Sequence, residues 1–161
     1  MDEVIELLEK RGACDPSLDW LRGLPLGTTP QGAWEQCENG SWLLWLLVRA
    51  YPKSAAYHQF ILRVANRAIE VVGDGADPAL VQLVRDKEAW CQTATPKDLE
   101  ASITWPKDAA WQAGLSLAWD RLGKGREPEW LAELRTRADD LRSLFSRPDP
   151  SLLVRKPKGK S

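Results

Sequence analysis

The chain has 161 residues, of which 43% are hydrophobic and 28% charged, and its formal net charge is −1. That length suits one ordinary domain, which buries enough surface to need no disulfide or metal staple. The near-neutral balance gives no global field for nucleic acid, and the apolar run at 42–48 is far shorter than the about 20 residues that cross a bilayer.

Residues 2–11 carry Val4, Ile5, Leu7 and Leu8 on one side. Asp2, Glu3 and Glu6 stand in the first turns, where the helix dipole favours acids, and Gly12 ends this predicted helix. Cys14-Asp15-Pro16 signals a second start, with Asp15 as cap and Pro16 in the first turn. Leu18, Trp20, Leu21 and Leu24 form its apolar side, and Pro25, Gly27 and Thr28 make a loop. Thr29-Pro30 repeats the start signal, and the short helix after it sets Ala33, Trp34 and Cys37 on one face. Asn39-Gly40 breaks that helix, and Ser41 is placed to cap the next.

The next helix, 41–51, is apolar on every side through Trp42 and Trp45, the mark of a helix buried all round. Pro52 closes it. Residues 54–72 form a long amphipathic helix with Tyr57, Phe60, Ile61, Val64, Ala68, Val71 and Val72 at helical spacing. After a loop at 73–76, Asp77-Pro78 opens a helix in which Leu80, Leu83, Val84 and Cys91 share a face, with Trp90 beside it. Thr95-Pro96 opens a segment with Leu99 and Ile103, where Pro106 either kinks one helix or separates two. Trp111, Leu115, Ala118, Trp119 and Leu122 make a further stripe, ended by Gly123-Lys124-Gly125. Pro128 opens the last helix, striped by Trp130, Leu131, Leu134, Ala138, Leu141, Leu144 and Phe145.

No segment alternates with period two, so the predicted fold is all-α. It is a single-domain bundle of about seven or eight mostly antiparallel helices around a central buried helix at 41–51. The bundle occupies 1–147, and 148–161 is a flexible basic tail.

One histidine, His58, and three cysteines, Cys14, Cys37 and Cys91, make neither a disulfide framework nor a zinc site, since no CxxC pair occurs. The acidic N-terminus lacks the basic and apolar regions of a signal peptide, so a reducing cytoplasm is expected. Cys37 and His58 are the parts of a thiol dyad, but Cys37 shares its stripe with Trp34 and reads as core. Glu35 and Glu38 face similar directions, an arrangement that serves a cation, acid–base work or a solvated helix face. Neither GxGxxG nor GxxxxGK[ST] occurs, and Gly73-Asp74-Gly75 does not open a complete calcium loop, so no cofactor or metal is expected.

Charge is uneven. Residues 1–40 hold eight acidic and three basic residues, net −5, and residues 128–161 hold five acidic and eight basic, net +3. Arg155, Lys156, Lys158 and Lys160 give at most weak, salt-sensitive contact with phosphates. Tryptophan is in surplus, nine against two phenylalanines and two tyrosines. Trp34, Trp42, Trp45, Trp111 and Trp119 lie on stripes and read as core. Trp20, Trp90, Trp105 and Trp130 lie nearer breaks, helix ends or stripe edges, and with Glu35 and Glu38 they are the candidate partner contacts.

Ala33-Trp34-x-x-Cys37 followed by Gly40-x-Trp42-Leu43-Leu44-Trp45-Leu46-Leu47 resembles a family of small all-helical proteins of bacteria and phages, named immunity proteins, that carry an A-W-x-x-C-x-x-G-D-W-[LM]-L-W-L signature. The resemblance extends more loosely from Cys14 to Val72 and returns near Trp111 and in the last helix. Ser41 stands where the family has Asp; both types cap helices. Pro106 interrupts a region that the family keeps helical. The resemblance implies a non-catalytic inhibitor in the bacterial host cytosol that binds and blocks a toxin domain. An anti-CRISPR-like inhibitor of a host-defence complex, carried by a phage or mobile element, uses the same physics. Such a protein presents a preformed surface and loses little entropy on binding. The alternatives are a nucleic-acid-associated helical module and an enzyme with a site around Cys37 and His58. On this reading the signature residues are core, and the working surface lies on helix ends, loops and charged faces.

Overall fold

Prolines and short polar side chains set the helix starts. Thr29 Oγ1 accepts from the Gly32 nitrogen at 3.0 Å and Asp77 Oδ1 from the Ala79 nitrogen at 2.9 Å. A proline follows each cap, and its missing N–H is one that a first turn leaves without an intrahelical acceptor. The computed structural model describes residues 1–51, 54–101 and 127–149. Among them are eight α-helices and no strand, as the all-α expectation requires. They are α1 (Asp2–Lys10), α2 (Asp15–Arg22), α3 (Pro30–Gln36), α4 (Gly40–Ala50), α5 (Ala55–Val72), α6 (Pro78–Thr93), α7 (Pro96–Ala101) and α8 (Glu127–Leu144), with a 3-10 turn at Gly73–Gly75. The expected stripe through Trp111 and Trp119, and the choice posed by Pro106, lie outside the described residues.

Two caps differ from expectation. At α2 the cap position is Cys14, and Asp15 stands inside the first turn, where its charge meets the dipole. At α4 the cap is Asn39, whose Oδ1 accepts from the nitrogens of Ser41 at 3.0 Å and Trp42 at 3.3 Å. Gly40 is therefore the first residue of α4 rather than a breaker of α3. Packing explains the choice, because a β-carbon there would overlap Cβ of Arg137 and lie 2.8 Å from the Ala138 nitrogen in α8.

The chain divides into two compact units. The first contains α1 to α4 and α8 from Leu134 onward. Its buried residues include Ile5, Leu18, Ala33, Trp34, Cys37, Leu43, Leu47, Leu134, Ala138 and Leu141. The tail expected from 148 is anchored at its start, since Pro148 is buried. Helix α4 is not enclosed on every side. Gly40, Leu43 and Leu47 are buried, spaced three and four apart on one face. Trp42, Leu44, Trp45 and Leu46 are half-buried, and Val48 is 44% exposed.

The second unit contains α5, α6, α7 and α8 up to Glu133. Ala65, Leu80 and Val84 form a core flanked by Ile61, Leu62, Ile69 and Leu83. Fully burying a Leu- or Phe-sized side chain contributes about 1.5–3 kcal/mol. Asn66 Nδ2 donates to Glu88 Oε1 at 2.7 Å, and the Arg67 guanidinium forks onto both carboxylate oxygens of Glu133 at 3.0 and 3.1 Å. Lys87 is buried with its ammonium 4.1 Å from the centre of the Trp90 ring, a cation–π contact.

Candidate functional site

Helices α1, α2 and α3 have nine, eight and seven residues. The half-buried side chains of α4, Trp42, Trp45 and Leu46, meet residues of these helices around a pocket of about 240 Å³ in the first unit. Val4 and Leu8 line it from α1, Trp20 and Leu21 from α2, and Ala33 and Trp34 from α3. Cys37 follows, then Trp42, Leu43, Trp45 and Leu46 of α4, with Arg147 and Pro148 at its border. Four indoles thus share one apolar space.

The walls are held by specific contacts. Trp20 and Trp42 pack with centroids 5.9 Å apart and planes at 50°, within the range in which aromatic pairs gain beyond area burial. The Arg49 guanidinium stacks 4.0 Å from the Trp45 ring centre, and its Nη1 donates to the Trp45 carbonyl at 3.1 Å. Arg142 Nη1 donates to the carbonyls of Trp34 at 3.1 Å and Cys37 at 2.7 Å. These lie at the C-terminal end of α3, where a helix leaves acceptors unsatisfied. Arg147 Nε donates to Gln31 Oε1 at 3.0 Å and Nη1 to the Pro148 carbonyl at 3.2 Å. Both guanidiniums also line a polar recess of about 640 Å³ with Glu35, Ser143 and Ser146. They are engaged there by acceptors of the protein itself.

The two residues paired as a dyad lie in different units. Cys37 is buried, and desolvation pushes its thiol up from the ordinary range. Its Sγ donates to the Asn39 carbonyl at 3.7 Å. His58 Nε2 lies 2.9 Å from the Leu99 carbonyl, which only accepts, so that nitrogen carries the proton. The ring meets Tyr57 and Trp90 edge-on at 5.6 Å each. Each member therefore has a main-chain acceptor in its own unit, as structural side chains do. Among the described residues no three His, Cys, Asp or Glu side chains are grouped to hold a metal ion.

Of the partner-contact candidates among the described residues, Trp20 alone lines the pocket. Trp90 is half-buried in the second unit between His58 and Lys87. Trp130 is half-buried near the start of α8. Glu35 is exposed and accepts from Gln31 Nε2 at 2.8 Å, and exposed Glu38 pairs with Arg135 at 2.8 Å. Trp105, Arg155, Lys156, Lys158 and Lys160 lie outside the described residues. Trp34, Cys37, Trp42 and Trp45, expected as plain core, line the pocket. The signal for Trp42 and Trp45 was a helix apolar on all sides. No protein-family model, curated protein or solved structure matches this chain.

Proposed function

We propose that this chain is a non-enzymatic inhibitor that binds another protein and blocks it, and that the tryptophan-lined pocket receives an apolar side chain of that partner. The signature at Ala33, Trp34, Cys37, Gly40, Trp42 and Trp45 supports the immunity type by resemblance, with a toxin domain or a host-defence complex in the bacterial cytoplasm as the partner blocked.

The observation that carries the reading is the size and chemistry of the pocket. Sites for drug-sized ligands and cofactors occupy about 300–1,000 Å³, and this one holds about 240 Å³. A cavity of about 150 Å³ lined by aliphatic and aromatic side chains accepts benzene. The space therefore suits one leucine- or phenylalanine-sized group. Burying such a group contributes about 1.5–3 kcal/mol, comparable to the about 2 kcal/mol that defines an interface hot spot. Walls already braced by Arg49 and Arg142 lose little entropy when the group enters.

The test is affinity capture from the native host with wild type and Ser41→Phe. Ser41 is exposed, lines the pocket, and offers only its main-chain nitrogen to the α4 cap. A ring at that position fills the pocket from its rim. The expected result is a partner captured by wild type and lost with Ser41→Phe at unchanged melting temperature. Capture that survives Ser41→Phe overturns the reading.

A further inference from the structure

The pocket borders the place where the described chain stops. Arg147 and Pro148 line it, Pro148 is buried, and the last described residue is Asp149. This exit is held in place, since Arg147 Nε donates to Gln31 Oε1 at 3.0 Å and its Nη1 to the Pro148 carbonyl at 3.2 Å. Residues 150–161 lie outside the described residues. They begin Pro150-Ser151-Leu152-Leu153-Val154, ahead of the basic Arg155 and Lys156.

Leu152 stands four residues beyond Pro148, and extended chain of that length covers up to about 13 Å. Asp149-Pro150 is the pair that a type I turn favours at its first two positions. Such a turn brings its fourth residue, Leu152, within about 7 Å of Asp149. The sequence is thus disposed to double back onto the border that the chain has just left. Three consecutive apolar side chains gain by leaving water, and the pocket is an apolar space of about 240 Å³, enough for one leucine. A group on so short a tether faces the pocket at a millimolar effective concentration.

We propose that residues 150–154 fold back over the pocket of their own chain, with one leucine of the Leu152-Leu153 pair seated among Trp20, Trp42 and Trp45. The closed tail shields these indoles in the free chain, and a partner has to displace it. The partner's apparent affinity is then reduced by the fraction of chains that are open. The inference goes beyond the inhibitor reading, because it concerns the free chain and needs no partner.

Trypsin cuts after Arg155, next to the docked segment, so its rate there reports the open fraction. Wild type, Ser41→Phe and Leu152→Ser/Leu153→Ser are compared as full chains well below melting. Ser41→Phe fills the pocket from its rim and leaves the tail sequence intact, whereas the serine pair leaves the pocket intact. Each is expected to be cut about tenfold faster than wild type, the factor lost with one buried leucine. Combining them is expected to add nothing further, since both remove one contact. Indole N–H resonances should move in the serine pair, and a synthetic peptide of residues 150–156 at millimolar concentration should move them back. Should Ser41→Phe melt early, the serine pair and the peptide decide alone. Equal cutting of wild type and the serine pair overturns the proposal, as do indole resonances that the serine pair leaves unmoved. Protection of wild type that disappears on dilution assigns the pocket to the tail of a second copy and overturns it as well. A partner lost with Ser41→Phe beside equal cutting ends this proposal and leaves the inhibitor reading standing; capture that survives Ser41→Phe beside faster cutting ends that reading and leaves this proposal standing.

Discussion

Gly40 and Arg137 leave no room for a side chain between them: a β-carbon on Gly40 would overlap Cβ of Arg137 and approach its carbonyl carbon to 2.9 Å. The atoms met are main chain and Cβ, which cannot swing aside as the end of a long side chain does. This approach seats the start of α4 on α8 in the first unit and so places the helix that lines the pocket.

Gly40→Ala is therefore expected to destabilise. In an open helix the change gains up to about 1 kcal/mol from propensity. Against main chain it acts as overpacking, which costs about 1–3 kcal/mol. The clash should win, with a net loss of about 1–2 kcal/mol in urea unfolding at an unchanged m-value. A variant as stable as wild type would show that α4 does not rest on α8 here.

Arg142 has a comparable role for α3. Hydrogen bonds from a charged donor contribute about 1.5–3 kcal/mol, and Arg142 gives two to main-chain carbonyls with its side chain 22% exposed. Its ion pair with Asp139, whose side chain is 75% exposed, adds little. Arg142→Ala should lose about 2 kcal/mol and lower Tm by about 4–8 °C. Arg142→Lys should recover under half of this, because an ammonium lacks the fork. Calorimetry of the two variants decides the matter, and equal melting of Lys and wild type would exclude the fork as the cause.

The helix starts were legible because their physics is local: Thr29, Asp77 and the prolines after them act within one turn. The start of α4 was not, because Gly40 is explained by α8, about a hundred residues away along the chain. Trp42 and Trp45 stood out as apolar, and apolarity alone does not say whether a side chain faces a filled or an open space. Their place on a pocket follows from how α1, α2 and α3 are arranged beside α4, which only the assembled unit reveals. Trp90, beside the stripe of α6, is half-buried, with His58 of α5 and Lys87 of its own helix against its ring.

His58 is expected to matter for stability and not for partner capture. Its bond to the Leu99 carbonyl ties α5 to α7 in the second unit. His58→Ala should cost about 2 kcal/mol from the lost bond and packing, with amide exchange in α7 accelerated first. His58→Gln, which keeps an N–H donor, should restore part of the protection. Capture of the partner well below the melting temperature should match wild type in both variants. Lost capture at full folding would instead place His58 in the working surface.

The thiols give a prediction with a sign. Cys14 is exposed, Cys91 half-buried and Cys37 buried, and burial pushes the thiols of Cys37 and Cys91 above the ordinary range. Thiolate is the reactive form, so an alkylating reagent near neutral pH should label Cys14 first and Cys37 last. A folded-state pKa raised above the unfolded value means that the native protein holds the proton longer. The stability contributed by the neutral thiol is then complete below the ordinary thiol range and is lost as pH rises through the raised value. Tyr57, also raised by burial, acts in the same direction at higher pH. Urea midpoints should therefore fall on the alkaline side, and Cys37→Ala should flatten the first part of that fall. Because Cys14 and Cys37 both line the pocket, a group seated there should also slow the labelling of Cys14. Labelling of Cys37 as fast as Cys14 in the folded protein would show that the pocket wall opens to solvent, and labelling of Cys14 unchanged by the captured partner would show that the partner binds elsewhere.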